Sequence, residues 1–130
     1  EQSVKKIVEG INDKNIDYIL SYQSRVGPLK WIGPSTEEII VENSKKGKHL
    51  VIVPIAFVSE HSETLVELDI EYEKLAKQNG CKNYTRIEAL GVNKYFIESL
   101  SNLIFNKDNL YPPKNKCPAN FKKCHCQLNA

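Results

Sequence analysis

The sequence predicts an α/β domain in which a parallel sheet carries helices on both faces. Three observations predict it. Helical and strand-like periodicities alternate in the order αβαβαβα, and strands separated by helices run parallel with crossovers over the sheet. The segment His49–Ile55 is apolar without alternation, as expected of a strand covered on both sides. The 130 residues, 41% hydrophobic and 26% charged, suffice for one domain with a single core.

Each element has its own signal. Val4, Ile7, Val8 and Ile11 fall at helical spacing over residues 3–12, and Asp17–Gln23 reads as a first strand. Gly27-Pro28 and Gly33-Pro34 bracket a loop carrying Leu29, Trp31 and Ile32, because proline fixes φ and biases its predecessor away from helix. Ser35-Thr36-Glu37-Glu38 is a capping box that opens a helix over about 36–46, and Gly47 suits its far end. The strand over 49–55 follows, with Pro54 at its end. A helix over about 61–78 closes at Asn79-Gly80, Tyr84–Glu88 reads as a shorter strand, and a last helix spans about 94–105. Beyond 107 Asn, Lys and Pro dominate and periodicity stops. We therefore divide the chain into a domain, 1–106, and a Cys- and Lys-rich tail, 107–130; no internal repeat is visible.

Composition narrows the partners. Eighteen basic and 16 acidic side chains leave a formal charge of +2, so no field of one sign recommends nucleic acid or an anionic membrane. No apolar run approaches the roughly 20 residues that span a bilayer, and the first residues lack a signal-peptide core, so the chain reads as soluble. With no Met and with Glu at position 1, it is expected to be part of a longer protein. Cys117, Cys124 and Cys126 crowd into the tail while Cys81 stands alone, a poorer disulfide framework than a partial metal site.

The chemistry concentrates between residues 53 and 72. Glu63, Glu67 and Glu71 recur every four residues and stack along one side of a helix, beside an apolar stripe of Leu65, Leu68, Tyr72 and Leu75. Like charges at this spacing cost roughly 0.2–0.5 kcal/mol per pair. No Lys or Arg within 60–73 offsets them, and a cation is the obvious compensating partner. In an open α/β sheet ligands bind at the carboxyl ends of the strands, which gathers three segments: Gln23-Ser24-Arg25 with the Trp31 loop, Ser59–Glu63, and Ala89-Leu90-Gly91. Taken singly, an acidic row is more often a solvated helix face, His61 a satisfied polar residue at a helix start, and Trp31 a loop anchor. Together, imidazole beside carboxylates suits Fe(II) or another first-row divalent ion. His61 and Glu63 are too close in sequence to close a structural site, so a transient metal or proton site fits better.

The strings Tyr22-Gln23-Ser24-Arg25-Val26-Gly27-Pro28-Leu29-Lys30-Trp31-Ile32-Gly33-Pro34, Val53-Pro54-Ile55-Ala56-Phe57-Val58-Ser59-Glu60-His61-Ser62-Glu63-Thr64-Leu65 and Glu67-Leu68-Asp69-Ile70-Glu71-Tyr72 closely resemble the C-terminal half of ferrochelatases, over about residues 3–106. The resemblance implies a chelatase-like, Rossmann-like domain from a two-domain lyase that inserts Fe(II) into protoporphyrin IX at the end of haem synthesis. It implies that Glu63 is the metal-site carboxylate and His61 its partner in metal handling or pyrrole proton removal. Glu67 and Glu71 would continue the acidic line, running inward along a segment of π-helical character, and Trp31, Gln23 and Ser24 would meet the porphyrin. It implies too that an N-terminal domain supplies the rest of the pocket and an opposing His, so that this chain alone would not turn over. The resemblance carries an expectation of a cytoplasmic, bacterial-type enzyme, or alternatively one on the matrix side of the mitochondrial inner membrane, with room for peripheral membrane contact. Some ferrochelatases bind a [2Fe-2S] cluster through C-terminal cysteines, which Cys117, Cys124 and Cys126 resemble. Three thiolates need a fourth ligand, which Cys81, His125 or a residue elsewhere could supply, and free thiols in a reducing cytosol are the competing reading. Two rival functions stay open: a chelatase for a cobalt or nickel tetrapyrrole, and a non-catalytic porphyrin-binding fragment.

Overall fold

A computed structural model of the chain describes residues 1–24, 27–28 and 30–105. They form two compact units, Glu1–Gly91 and Val92 onward. In the first, helix α1 (Gln2–Ile11) precedes an extended segment and the Trp31 loop. Helix α2 (Thr36–Lys45) follows, then strand β1 (His49–Ile52), a ten-residue π-helix, π1 (Glu63–Tyr72), its continuation α3 (Glu73–Gln78), and strand β2 (Asn83–Arg86). The second unit contributes α4 (Lys94–Phe105), whose first amides are met by the Asn93 side chain.

The capping box forms as its residue types require. The Glu38 amide donates to Ser35 Oγ at 3.2 Å and the Ser35 amide donates to Glu38 Oε2 at 3.3 Å, satisfying two otherwise orphaned donors. Gly47, at φ +67°, lets the chain leave the helix in the left-handed region that residues with a Cβ resist.

β1 and β2 pair in parallel, with His49 opposite Asn83 and Ile52 opposite Arg86, and the crossover between them is π1 with α3. Leu50, Ile52 and Tyr84 pack against a core of Ile40, Leu68, Tyr72 and Ala76, so α2, π1 and α3 cover one face of this sheet. The fold is α/β with a parallel sheet, as expected, but three of its details differ from the sequence reading.

The strand expected at 49–55 stops at Ile52 and alternates in burial rather than being covered throughout; Val51 is 62% exposed. Pro54 has no amide to continue a ladder, and the chain turns there, the Phe57 amide donating to the Pro54 carbonyl at 3.1 Å. The strand expected at 17–23 is not formed. Tyr22 makes a single parallel bridge to Ser35, donating to the Pro34 carbonyl at 2.9 Å and accepting from the Thr36 amide at 3.1 Å. Those bonds tie the segment to the entry of α2, which leaves β1 with one ladder partner among the described residues.

Within π1 the apolar stripe is also displaced. Thr64, Leu68 and Tyr72 are buried and the row continues to Ala76 in α3, whereas Leu65 is 49% exposed. An α-helix, at 3.6 residues per turn, would swing a strict four-residue row around its axis. The wider i→i+5 turn keeps that row in line and moves Leu65 outward.

Candidate functional site

The segments expected at the strand ends do converge. From the first, the Gln23 side-chain amide donates to the Glu63 carbonyl at 3.0 Å, and the Ser24 hydroxyl donates to a Glu63 carboxylate oxygen. From the third, the Ala89 amide donates to Glu60 Oε1 at 2.8 Å, and the Gly91 amide donates to the Val58 carbonyl at 2.7 Å. The middle segment, ending in His61 and Glu63, lies between them.

His61 is oriented by its neighbours. Its Nδ1 accepts the Glu63 amide at 3.1 Å, its own amide donates to Thr64 Oγ1 at 3.0 Å, and its ring meets Phe57 edge-on with centroids 4.5 Å apart. Because Nδ1 is the acceptor, the proton assigned to the ring sits on Nε2. Thr64 donates in turn to the His61 carbonyl at 3.0 Å, so it fastens the His61 backbone to the first turn of π1 from within the core.

The three glutamates of the row differ in their surroundings. Glu63 is half-buried and held by Ser24. Glu67 is half-buried and accepts the Tyr72 hydroxyl at 2.6 Å, five residues on, the distance of one π turn. Burial, reinforced by this bond and the charge of Glu67, pushes the Tyr72 phenol well above its ordinary range. Glu71 is exposed.

An arginine that the sequence reading passed over braces the whole arrangement. Arg86, the last residue of β2, has a side chain only 8% exposed. It donates from Nη1 to Glu60 at 2.6 Å and makes a forked pair to Asp69 at 2.7 and 2.5 Å. It thereby ties the residue before His61 to the middle of π1, with the bidentate geometry that guanidinium favours. The Thr64 hydroxyl, the Ala89 amide and Arg86 hold the Glu60 carboxyl down to about 2. The single Thr64 hydrogen also serves the His61 carbonyl, so the Ala89 and Arg86 bonds are the durable part of that effect. The missed signal was the pleat: in β2 the inward positions are Tyr84 and Arg86, and an inward-facing cation demands a carboxylate partner.

Trp31 is 43% exposed, and its indole N–H donates to the Gln23 carbonyl at 3.1 Å. Arg25, Val26 and Leu29 of the same loop lie outside the described residues, as do Cys117, Cys124, His125 and Cys126. Among the described residues no three His, Cys, Asp or Glu side chains form a cluster that could hold a metal by itself, and none of the helices is long and apolar enough to cross a membrane. His61 and Glu63 are tied together through the Glu63 amide, and in this arrangement both ring nitrogens of His61 are engaged or protonated.

Fold and site together define a parallel α/β domain that presents a histidine and an acidic π-helix at the ends of its strands. The family model described as Ferrochelatase matches residues 1–108, and the chain belongs to the ferrochelatase family. It is 71% identical to a ferrochelatase of Pelagibacter ubique (strain HTCC1062) over 132 aligned residues, covering 97% of this chain and 38% of that protein. Ferrochelatases of Rickettsia typhi and Rickettsia prowazekii are 50% and 48% identical, each matching 98% of this chain and 40% of its own length. The chain therefore spans about two fifths of the curated relatives it matches.

Proposed function

We propose that this chain is the C-terminal, metal-handling domain of a ferrochelatase that inserts Fe(II) into protoporphyrin IX to form protohaem. The observation that carries the reading is Glu63: its carboxylate opens the π-helix, its amide is bonded to His61 and its carboxylate to Ser24 of the porphyrin-side loop, in a chain matched by the family over 1–108. Metallation must release two pyrrole protons and accept a partly desolvated divalent ion, which calls for nearby carboxylates that hold the ion weakly. Glu63 is the first such group. Glu67 and exposed Glu71 continue from it toward solvent and offer successive carboxylates for departing protons or an arriving ion. His61 presents Nε2–H, a donor suited to orienting a ligand beside Glu63. Trp31 supplies an aromatic face for the macrocycle, and Trp31 and Ile32, both exposed, are the surface through which the loop would touch a membrane. The opposing wall of the porphyrin pocket is assigned to the N-terminal domain.

The test is Glu63→Gln in the intact enzyme. Iron insertion should fall to near the uncatalysed background while circular dichroism and the melting temperature stay unchanged, because the substitution removes a charge from a half-exposed mouth and no core contact. Near-normal insertion by a correctly folded variant would refute the assignment.

A further inference from the structure

We propose that Ser24 and Gln23 are positioning residues for Glu63, acting on the metal carboxylate rather than on the porphyrin, and that they couple it to the Trp31 loop. The inference rests on the ferrochelatase reading above and changes the role that the family resemblance implies for these two side chains.

Both of their polar ends are already committed. The Ser24 hydroxyl donates to the Glu63 carboxylate, and the Gln23 amide nitrogen donates to the Glu63 carbonyl at 3.0 Å. These two bonds cross from the loop to the helix over about forty residues of sequence and grip one residue by its backbone and its side chain together. A carboxylate at the mouth of an open site would otherwise sample several rotamers, each placing its oxygens differently. A donor on one oxygen fixes the plane of the group and leaves the second oxygen directed to its own task.

The backbone of Ser24 supports this reading. It sits at φ +61°, in the left-handed region where residues other than glycine, asparagine and aspartate are uncommon. Glycine would adopt it without strain but would offer no hydroxyl. A non-glycine residue at such an angle points to a role for its side chain, and the observed partner of that side chain is Glu63. Beyond Ser24 the contacts continue outward, since Trp31 donates its indole N–H to the Gln23 carbonyl at 3.1 Å. Trp31 is therefore linked through Gln23 to the Glu63 backbone, and through the adjoining Ser24 to the Glu63 carboxylate.

The experiment uses the intact enzyme as wild type, Ser24→Ala and Ser24→Gly. Three quantities are measured: kcat/KM for Fe(II) at saturating protoporphyrin, protoporphyrin affinity by fluorescence without iron, and the melting temperature. Both variants should lose roughly tenfold to hundredfold in kcat/KM for Fe(II), the scale of one hydrogen bond to an ionised group. Porphyrin affinity should stay within about twofold and the melting temperature should be unchanged. Weakened porphyrin binding with unchanged iron kinetics would overturn the proposal and make Ser24 a porphyrin ligand. A defect in Ser24→Ala that is absent from Ser24→Gly would overturn it as well, since only the backbone angle would then matter. Wild-type enzyme inert toward iron and protoporphyrin would refute the ferrochelatase reading, and this inference with it, whereas active wild type with unaffected variants refutes this inference alone.

Discussion

Tyr72→Phe probes the link between the core and the acidic row with the least geometric disturbance. Tyr72 is 5% exposed and packs with Ile40, Leu68 and Ala76, so phenylalanine keeps the ring, opens no cavity and deletes only the hydroxyl. That hydroxyl donates at 2.6 Å to an ionised Glu67, and a hydrogen bond to a charged group contributes about 1.5–3 kcal/mol. Glu67 is only half-buried and water can replace the lost donor, which places the expected loss at the bottom of that range, about 1.5 kcal/mol. The effect should also depend on pH with a definite sign. Burial first, and the Glu67 bond second, raise the phenol above its ordinary value of 10.0, so above that pH the unfolded chain sheds the proton while the folded chain keeps it. Folded wild type then binds more protons than unfolded, and its stability falls as pH rises past 10. Phenylalanine has no such proton, so the gap between wild type and variant should narrow from neutral pH to about pH 10.5. Urea unfolding of the chain followed by far-ultraviolet circular dichroism reads both effects. For a slope of about 1–3 kcal/mol per molar, the neutral-pH midpoint should drop by roughly 0.5–1.5 M. An unchanged midpoint, or a gap that widens at high pH, would refute the reasoning.

Two further outcomes are expected. Trp31→Ala in the intact enzyme should weaken protoporphyrin binding by about 1–3 kcal/mol, the scale of one aromatic contact, with little change in melting temperature; a large fall in melting temperature with unaltered porphyrin affinity would make Trp31 a packing residue. Glu60→Gln should flatten the acid limb of stability: the Glu60 carboxyl is depressed from 4.5 to about 2, so wild type keeps this contribution above pH 4.5 and loses it as pH falls toward 2. Identical acid-unfolding profiles for the two proteins would show that the Arg86 clamp carries no linked proton.

Helices and their ends are the most legible part of this sequence. Ser35 and Glu38 encode a local, reciprocal pair of bonds that needs no tertiary context, and the structure forms it where the spacing predicts. Glu63, His61 and Trp31 stand out in the sequence because the family strings that contain them are long, and the structure brings Glu63 and His61 together. The strand at 17–23 is not legible, because strand formation depends on which edge receives the ladder, and Tyr22 spends its backbone bonds on Pro34 and Thr36. Leu65 is misplaced for a different reason. Choosing between an α and a π turn depends on bonds such as Tyr72 to Glu67 and Tyr84 to the Leu68 carbonyl, at 2.8 Å, which a periodicity count does not contain. Thr64 is invisible singly, since a polar residue in the core acquires meaning only once its partner is known, whereas the inward position of Arg86 follows from the pleat but its partners Glu60 and Asp69 do not.

The acidic row poses a problem of charge, and among the described residues no lysine or arginine meets Glu63, Glu67 or Glu71. Four acidic side chains lie on π1, and among the described residues only Asp69 meets a cation, Arg86. Glu63 and Glu67 are satisfied instead by hydroxyls, from Ser24 and Tyr72, and Glu71 is left to solvent. A hydroxyl stabilises a carboxylate through one directed bond and brings no compensating charge of its own. An ammonium or guanidinium in the same place would bring one and compete with an arriving cation for the same oxygens. The wider π turn makes the arrangement compatible with burial, since it aligns Thr64, Leu68 and Tyr72 inward while bringing the Tyr72 hydroxyl within reach of Glu67. Ser24 and Tyr72 thus orient two carboxylates of the row without neutralising them, while the one charge pair on π1 among the described residues, Asp69 with Arg86, fixes the helix to β2.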